Sequence, residues 1–427
     1  MTSPQQHSLK ETKGSDRNHI GVALGQQVID VGALQEQRLF TGPILSQKGS
    51  CFRKEHLNEF MSLGTSAWAE ARATLQRLLS SSEGAVRDNR KLIEAAVVPL
   101  ASVAMQLPAQ IGDYTDFYVS KQHAFNCGAL FRGPGHELQP NWVHMPVAYH
   151  GRSSSILVSG QNIKRPWGQA LTPGSLNPEV VPSKALDFEL EMGCFIGSGN
   201  GLGESIPVDG ADSQIFGMVL LNDWTARDIQ KWEYVPLGPF NGKNFATQIS
   251  PWIVTSEALK PFLCEAPEQQ PPVLPYLQES KRSTYDIHVA ADIIPAGSDL
   301  HYRVARTNFQ TMYFTWPQMI AHHTLGGCNL RPGDLLGSGT ISGGGPGQRG
   351  CLLEATCGGR EPLQLTPVVN EEVPQDVDDT RRAQRLMRTY LNDGDMVIMS
   401  GWCENSSGEQ LSFGTCQGAV LPSHKLL

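Results

Sequence analysis

The sequence predicts a mainly β, α+β protein in which a small N-terminal mixed unit precedes a large, loop-rich β domain. Glycine and proline, 43 and 28 of 427 residues, make up about one residue in six and favour short strands and turns over a helical bundle. Short apolar runs such as SILVSG, FGMVLL, YDIHVAADII and DMVIMSGW recur between turn signals at 133–135, 198–201, 331–334 and 392–395. Helical periodicity, by contrast, is concentrated between Lys54 and Ser81. At 427 residues the chain exceeds one ordinary domain.

Taken in order, residues 1–19 are polar and read as a flexible tail, and HIGVALGQQVIDVGAL from His19 reads as a hairpin. Leu57, Phe60 and Met61, then Trp68, Ala71, Leu75, Leu78 and Leu79, predict an amphipathic helical region broken near Gly64. Leu107-Pro108 is the expected joint, giving a unit over 20–107 and a larger one over 108–427. SGGGPGQRG, 342–350, reads as a tight hairpin, because it lacks GxxxxGK[ST] and opens no evident helix. The charged stretch at about 366–388 reads as an exposed insertion.

The net charge of −8, without a basic run, excludes nucleic acid and anionic membrane as expected partners. No apolar stretch approaches 18 residues, and the first twenty residues contain no apolar leader core. Nine scattered cysteines without a CxxC fit reduced thiols, so a cytoplasmic protein is expected.

Three clusters carry candidate chemistry. In DFELEMGCFIG the strand alternation puts Leu190, Met192 and Cys194 on one face and Glu189 and Glu191 together on the other, where paired carboxylates call for a cation or a proton. In NDWTARDIQKWEYV a helix would align Asp223, Arg227, Gln230 and Tyr234 in one stripe. In GDYTDFYVSKQHAFNCGALFRG, Thr115 or Asp116 could cap a helix, with Asp116 and His123 two turns apart and Tyr118 and Arg132 suited to gripping a carboxylate. Lys243 lies in a Gly- and Pro-bounded loop, and the tandem His322-His323 reads as packing and surface.

YTDFYVSKQHAFN, NWVHMPVAYHGRSSS, LDFELEMG, LNDWTARDIQKWEYVPLGPFNGK, CNLRPGDLLGSGTISG and RTYLNDGD together closely resemble the fumarylacetoacetase family through most of 108–427. The resemblance implies an N-terminal SH3-like β-barrel, a C-terminal β-roll and a homodimer. It implies a calcium or magnesium ion on Asp116, Glu189, Glu191 and Asp223, with Lys243 and Thr247 as further magnesium contacts. The implied reaction is hydrolysis of a carbon–carbon bond in fumarylacetoacetate, a β-diketone dicarboxylate, to fumarate and acetoacetate at the end of tyrosine and phenylalanine breakdown. His123 is the implied base and Glu354 its orienter. Arg227, Gln230 and Lys243 match oxyanion donors, while Tyr118, Arg132, Tyr149, Gln230, Tyr234 and Thr340 match substrate contacts. The alternative is a related hydrolase acting on acylpyruvates. Ala148 and Ala246 stand where glycine is expected, each adding a methyl group near the implied pocket.

Overall fold

The computed structural model describes residues 5–11, 18–172, 174–368 and 384–426. Most of the charged stretch 366–388 therefore lies outside the described residues. The N-terminal part contains a five-stranded antiparallel sheet in the spatial order Val97–Pro99, Gln27–Asp30, Asn18–Leu24, Gln5–Glu11, Val103–Met105. The hairpin expected from His19 is its centre. Gln5–Glu11, inside the stretch expected to be a tail, is instead a strand paired on both edges, because backbone pairing needs no apolar side-chain pattern. The helical region forms as Asn58–Met61 and Thr65–Leu78. Gly64, with φ of 81°, makes the break in a conformation that side chains disfavour.

A mixed eight-stranded sheet forms the centre of the molecule. Its strands run Ala148–Gly151, Tyr114–Phe117, Leu335–Gly337, Leu190–Ile196, Ile215–Asp223, Thr247–Ile249 and Ile156–Val158, with Val254–Thr255 also beside Ile215–Asp223. Both faces are covered. Leu190, Met192, Cys194, Met218 and Leu220 enter the core shared with the C-terminal region, whereas Phe195, Phe216, Val219 and Leu221 pack with Phe60 and Trp68 of the N-terminal helices. Covering on both sides explains why Ile215–Asp223 reads as a continuous apolar run and not as an alternating one. A five-stranded sheet built on His288–Ile294, Tyr302–Asn308, Met396–Glu404 and Gln410–Leu421 packs behind, with Ile163–Lys164 at its edge. Register shifts at Phe195/Ile196, Ala291/Asp292 and Ser400/Trp402 bend and twist these strands into curled sheets.

Three local expectations are corrected. Asp223 ends the strand Ile215–Asp223, and the helix is only Arg227–Glu233, so the four-residue stripe is a strand end followed by a helix. The helix that carries His123 is Lys121–Arg132, capped by Ser120, whose side chain accepts from the His123 amide; Thr115 and Asp116 lie in the strand Tyr114–Phe117. The apolar pull of Phe117 into the core favours strand there over a capping turn. The glycine-rich segment is a loop and not a hairpin: Ile341 N donates to Leu190 O and Leu190 N donates to Gly350 O, so both arms clasp one residue of the sheet.

Among the described residues no helix is long and apolar enough to cross a membrane. All nine cysteines are free. Trp68 joins the two parts of the chain, its ring edge-on to Phe216 at 5.2 Å and its indole N–H directed at Phe60 O and Met61 O. Trp68→Ala is expected to lower unfolding stability by about 3–5 kcal/mol in a denaturant titration. A loss well under 1 kcal/mol would show that the contact carries little of the packing.

Candidate active site

Three strands of this sheet deliver the acidic residues to one place. Asp116 pairs with Gly337 across the Tyr114–Phe117 and Leu335–Gly337 strands, Glu191 lies opposite Leu221, and Asp223 lies opposite Thr247. Alternation puts Asp116, Glu191 and Asp223 on the sheet face that also carries Tyr114, Phe195 and Leu221. Glu189 enters just before its strand, its amide donating to Asn222 Oδ1 at 3.1 Å. The result is a buried group in which one oxygen from each of the four carboxylates lies within 4.8 Å of the others. Gly337 makes room for it: a Cβ there would stand 2.5 Å from Asp116 Oδ1 and 3.2 Å from Glu191 Oε2.

Among the described residues, two cations touch this cluster. Lys243 Nζ bonds both Glu189 and Asp223. Arg227 Nη2 lies 2.8 Å from Glu189 Oε1 as an ion pair outside hydrogen-bond geometry, while its Nε donates to Asp187 at 2.9 Å. Tyr149 OH and Thr247 Oγ1 donate to the two oxygens of Asp223 at 2.6 and 3.0 Å. Asp116 Oδ1 and Glu191 Oε1 are buried with no partner. Burial, then the neighbouring carboxylates, push Asp116 and Glu191 well above the usual carboxylate range. Burial acts the same way on Glu189, but Lys243 and Arg227 outweigh it and bring that carboxyl down to about 2. Four carboxylates against two cations, with unpartnered oxygens facing inward, fit a divalent cation.

A second arrangement lies beside it. His123 Nδ1 is 2.6 Å from Glu354 Oε2, with both side chains almost fully buried. Glu354 is held further by Asn126 Nδ2 and Ser342 Oγ, each at 2.7 Å, and by the Cys351 thiol at 3.2 Å. The Tyr118 ring stands edge-on to the imidazole at 5.2 Å. Burial works against a charged imidazole, yet Cys127 and the Glu354 carboxylate outweigh it and hold His123 well above its ordinary value.

One cavity of about 360 Å³ joins the two arrangements. It is lined by Asp116, Glu189 and Glu191, by His123, and by Tyr118, Arg132, Tyr149, Arg227, Gln230, Tyr234, Lys243 and Thr340. Asp223 and Glu354 stand behind these residues, tied to Lys243 and His123 respectively, and Thr247 is tied to Asp223. Thr340 Oγ1 is buried and without a partner. Arg132 is exposed, its Nε and Nη2 bonded to the carbonyls of His136 and Glu137.

Family models described as fumarylacetoacetate hydrolase C-terminal and fumarylacetoacetase N-terminal match residues 114–420 and 8–108. The fumarylacetoacetase of Arabidopsis thaliana is 50% identical over 402 residues, covering 94% of this chain and 91% of that one. The fumarylacetoacetase of Bos taurus is 49% identical over 417 residues, covering 98% and 95%. The chain belongs to the fumarylacetoacetase family. A solved fumarylacetoacetate hydrolase from psychrophilic Exiguobacterium antarcticum, 16% identical, shares the fold with a TM-score of 0.53 over 98% of this chain and 100% of that one.

All fifteen residues singled out from the sequence gather in or directly behind this cavity. Of the two alanines at positions where glycine is expected, Ala148 lines the cavity, whereas Ala246 is buried in the core and not in its wall. Sequence reading missed Asp187, which is fully buried. It accepts from Arg227 Nε and from the amides of Phe188, Leu352 and Leu353, joining the Arg227 helix to the start of the helix that bears Glu354. The signal was present, since Asp187, Glu189 and Glu191 continue one alternation. Asn126 was legible as well, one turn from His123 on the same helix face.

The raised Glu191 carboxyl has a consequence for the metal-free chain. Its folded-state value lies above the unfolded one, so the stability it contributes below the ordinary glutamate range is lost as pH rises through the folded value. In chelator at neutral pH, Glu191→Gln is expected to melt a few degrees above the metal-free parent and to gain less from added calcium. A variant that melts lower, or gains as much from calcium, would count against the repulsive cluster.

Proposed function

We propose that this chain hydrolyses fumarylacetoacetate to fumarate and acetoacetate by cutting a carbon–carbon bond of the β-diketone. The observation that carries this reading is the meeting of a buried four-carboxylate cluster and a buried His–Glu pair in one cavity. The curated relatives' name supports the substrate, and the acylpyruvate alternative has no comparable support.

His123 is assigned the base. With Nδ1–H donating to Glu354, Nε2 keeps its lone pair for a proton taken from water, and the acquired charge is stabilised by the carboxylate. The same proton is then available to the departing carbon. Arg227, Gln230 and Lys243 place donors along the wall where negative oxygen develops. Tyr118, Arg132, Tyr149, Gln230, Tyr234 and Thr340 are assigned to the substrate's carboxylate ends and oxygens; the two carbonyl anchors of Arg132 hold its guanidinium at the cavity wall. Asp116, Glu189, Glu191 and Asp223 would hold calcium or magnesium, whose hard charge suits oxygen donors and polarises a diketone. Lys243 and Thr247 would serve as further magnesium contacts through Asp223.

The division into an SH3-like unit over 20–107 and a β-roll over 108–427 is part of the same proposal, as is a homodimer. The exposed apolar side chains Trp232, Tyr234, Val235, Leu237 and Phe240 beside the cavity support the homodimer. Free thiols throughout support a reducing, cytoplasmic setting.

Loss of the diketone absorbance of fumarylacetoacetate is the direct test. Turnover is expected to stop in chelator and return with magnesium or calcium, and turnover of acylpyruvates alone would transfer the function to the alternative. His123→Ala should lower kcat by about 10²-fold or more while leaving divalent-ion binding intact by calorimetry. Because Cys127 and the Glu354 carboxylate raise His123 against the effect of burial, and activity needs the neutral ring, kcat/KM should rise with pH through the His123 ionisation. Glu354→Gln should shift that rise to lower pH and lower its plateau. An unmoved profile would remove Glu354 from the orienting role.

A further inference from the structure

A second set of metal-binding atoms, chemically unlike the first, surrounds the base itself. His123, Cys351 and Glu354 are all buried and each offers one ligand atom within 4.8 Å of the others. The His123 Nδ1 to Glu354 Oε2 separation is 2.6 Å and the Cys351 Sγ to Glu354 Oε2 separation is 3.2 Å. Cys127 Sγ stands at the rim, 3.7 Å from Nε2 and 3.8 Å from Nδ1. With metal–nitrogen and metal–oxygen bonds near 2 Å and a metal–sulfur bond of about 2.3 Å, the edges of a tetrahedral zinc site are about 3.3 Å for nitrogen to oxygen and about 3.5 Å for sulfur to either. The sulfur–oxygen separation lies about 0.3 Å from its edge and the nitrogen–oxygen separation about 0.7 Å short of its own, so side-chain rotations that part the imidazole from the carboxylate would admit the ion.

We propose that this group is a site for a thiophilic divalent cation such as zinc, and that occupation of it inhibits the enzyme. The donor set is the reason for selectivity. An imidazole, a thiolate and a single carboxylate suit borderline-soft ions, whereas the neighbouring cluster of four carboxylates suits hard ones. Asn126 and Ser342 hold Glu354 in place and act as its outer support. His123 and Cys127 line the cavity, which provides a path inward. On binding, the Cys351 thiol and the His–Glu pair give up protons to solvent, and no electron is transferred. Inhibition follows because the imidazole lone pair becomes a metal bond. That half of the proposal rests on His123 being the base; the binding half does not.

Cobalt(II) is the probe, added to the full chain already saturated with calcium. One equivalent should produce a thiolate-to-cobalt charge-transfer band in the near ultraviolet, which zinc abolishes by displacement. Turnover of the diketone should fall in parallel and recover on removal of zinc by a chelator with calcium re-added. Cys351→Ser should remove the band and raise the zinc concentration for half-inhibition by about 10-fold or more. Should that variant fold poorly, X-ray absorption on the zinc-loaded parent gives an independent reading: a sulfur at about 2.3 Å supports the site and an all-oxygen shell overturns it. An absent charge-transfer band, or unchanged zinc inhibition in a folded Cys351→Ser, also overturns it. Turnover by His123→Ala without zinc separates the two readings, since retained activity there removes the base assignment while the cobalt band in the parent still decides the binding.

Discussion

Four carboxylates buried on one face of the central sheet are the constraint on which the rest of the active region depends. Charge of one sign in a dry interior is costly, and Lys243 and Arg227 neutralise only part of it. The surroundings are arranged to tolerate that cost. Tyr149 and Thr247 satisfy both oxygens of Asp223, and Gly339 N donates to Glu191. Gly337 leaves the space that a side chain would have closed. What is left over, two inward-facing oxygens without partners, is the capacity to take up a cation.

The His–Glu pair meets a different constraint. Its members are 231 residues apart in sequence, so nothing local holds them together. The glycine-rich loop solves this by clasping Leu190 with both arms, which ties the helix Leu352–Ala355 to the strand that carries Glu191. Asp187 adds the second tie, joining the Arg227 side chain to the amides of Leu352 and Leu353. His123, the carboxylate cluster and Arg227 are thereby tied to one sheet. Sites supported on regular elements hold their geometry better than sites on free loops.

Several parts of this were legible in the chain. The break at Gly64, the hairpin from His19 and the alternation in DFELEMG all follow from short-range rules, period two for strands and three to four for helices, and the structure contains each of them. The local misreadings also share a cause. The residues after Asp223 and Asp116 are helical, which favours helix at the first and a helix cap at the second, whereas each belongs to a strand whose partners are remote: Thr247 for one, Gly337 for the other. Pairing energy from a distant strand overrides a local capping pattern, and it cannot be read from neighbouring residues.

By itself the sequence determined the residue types available for chemistry, the β-rich class of the fold and, through long ordered motifs, the family. Tertiary structure alone decided which oxygens point inward without partners, that Asp187 ties Arg227 to the Glu354 helix, and that Cys127 and Cys351 gather around the His123–Glu354 pair. The physical reason is range. Side-chain periodicity is imposed by the backbone within a few residues, while electrostatic and metal-binding character is a property of atoms brought within a few ångströms by packing between segments hundreds of residues apart.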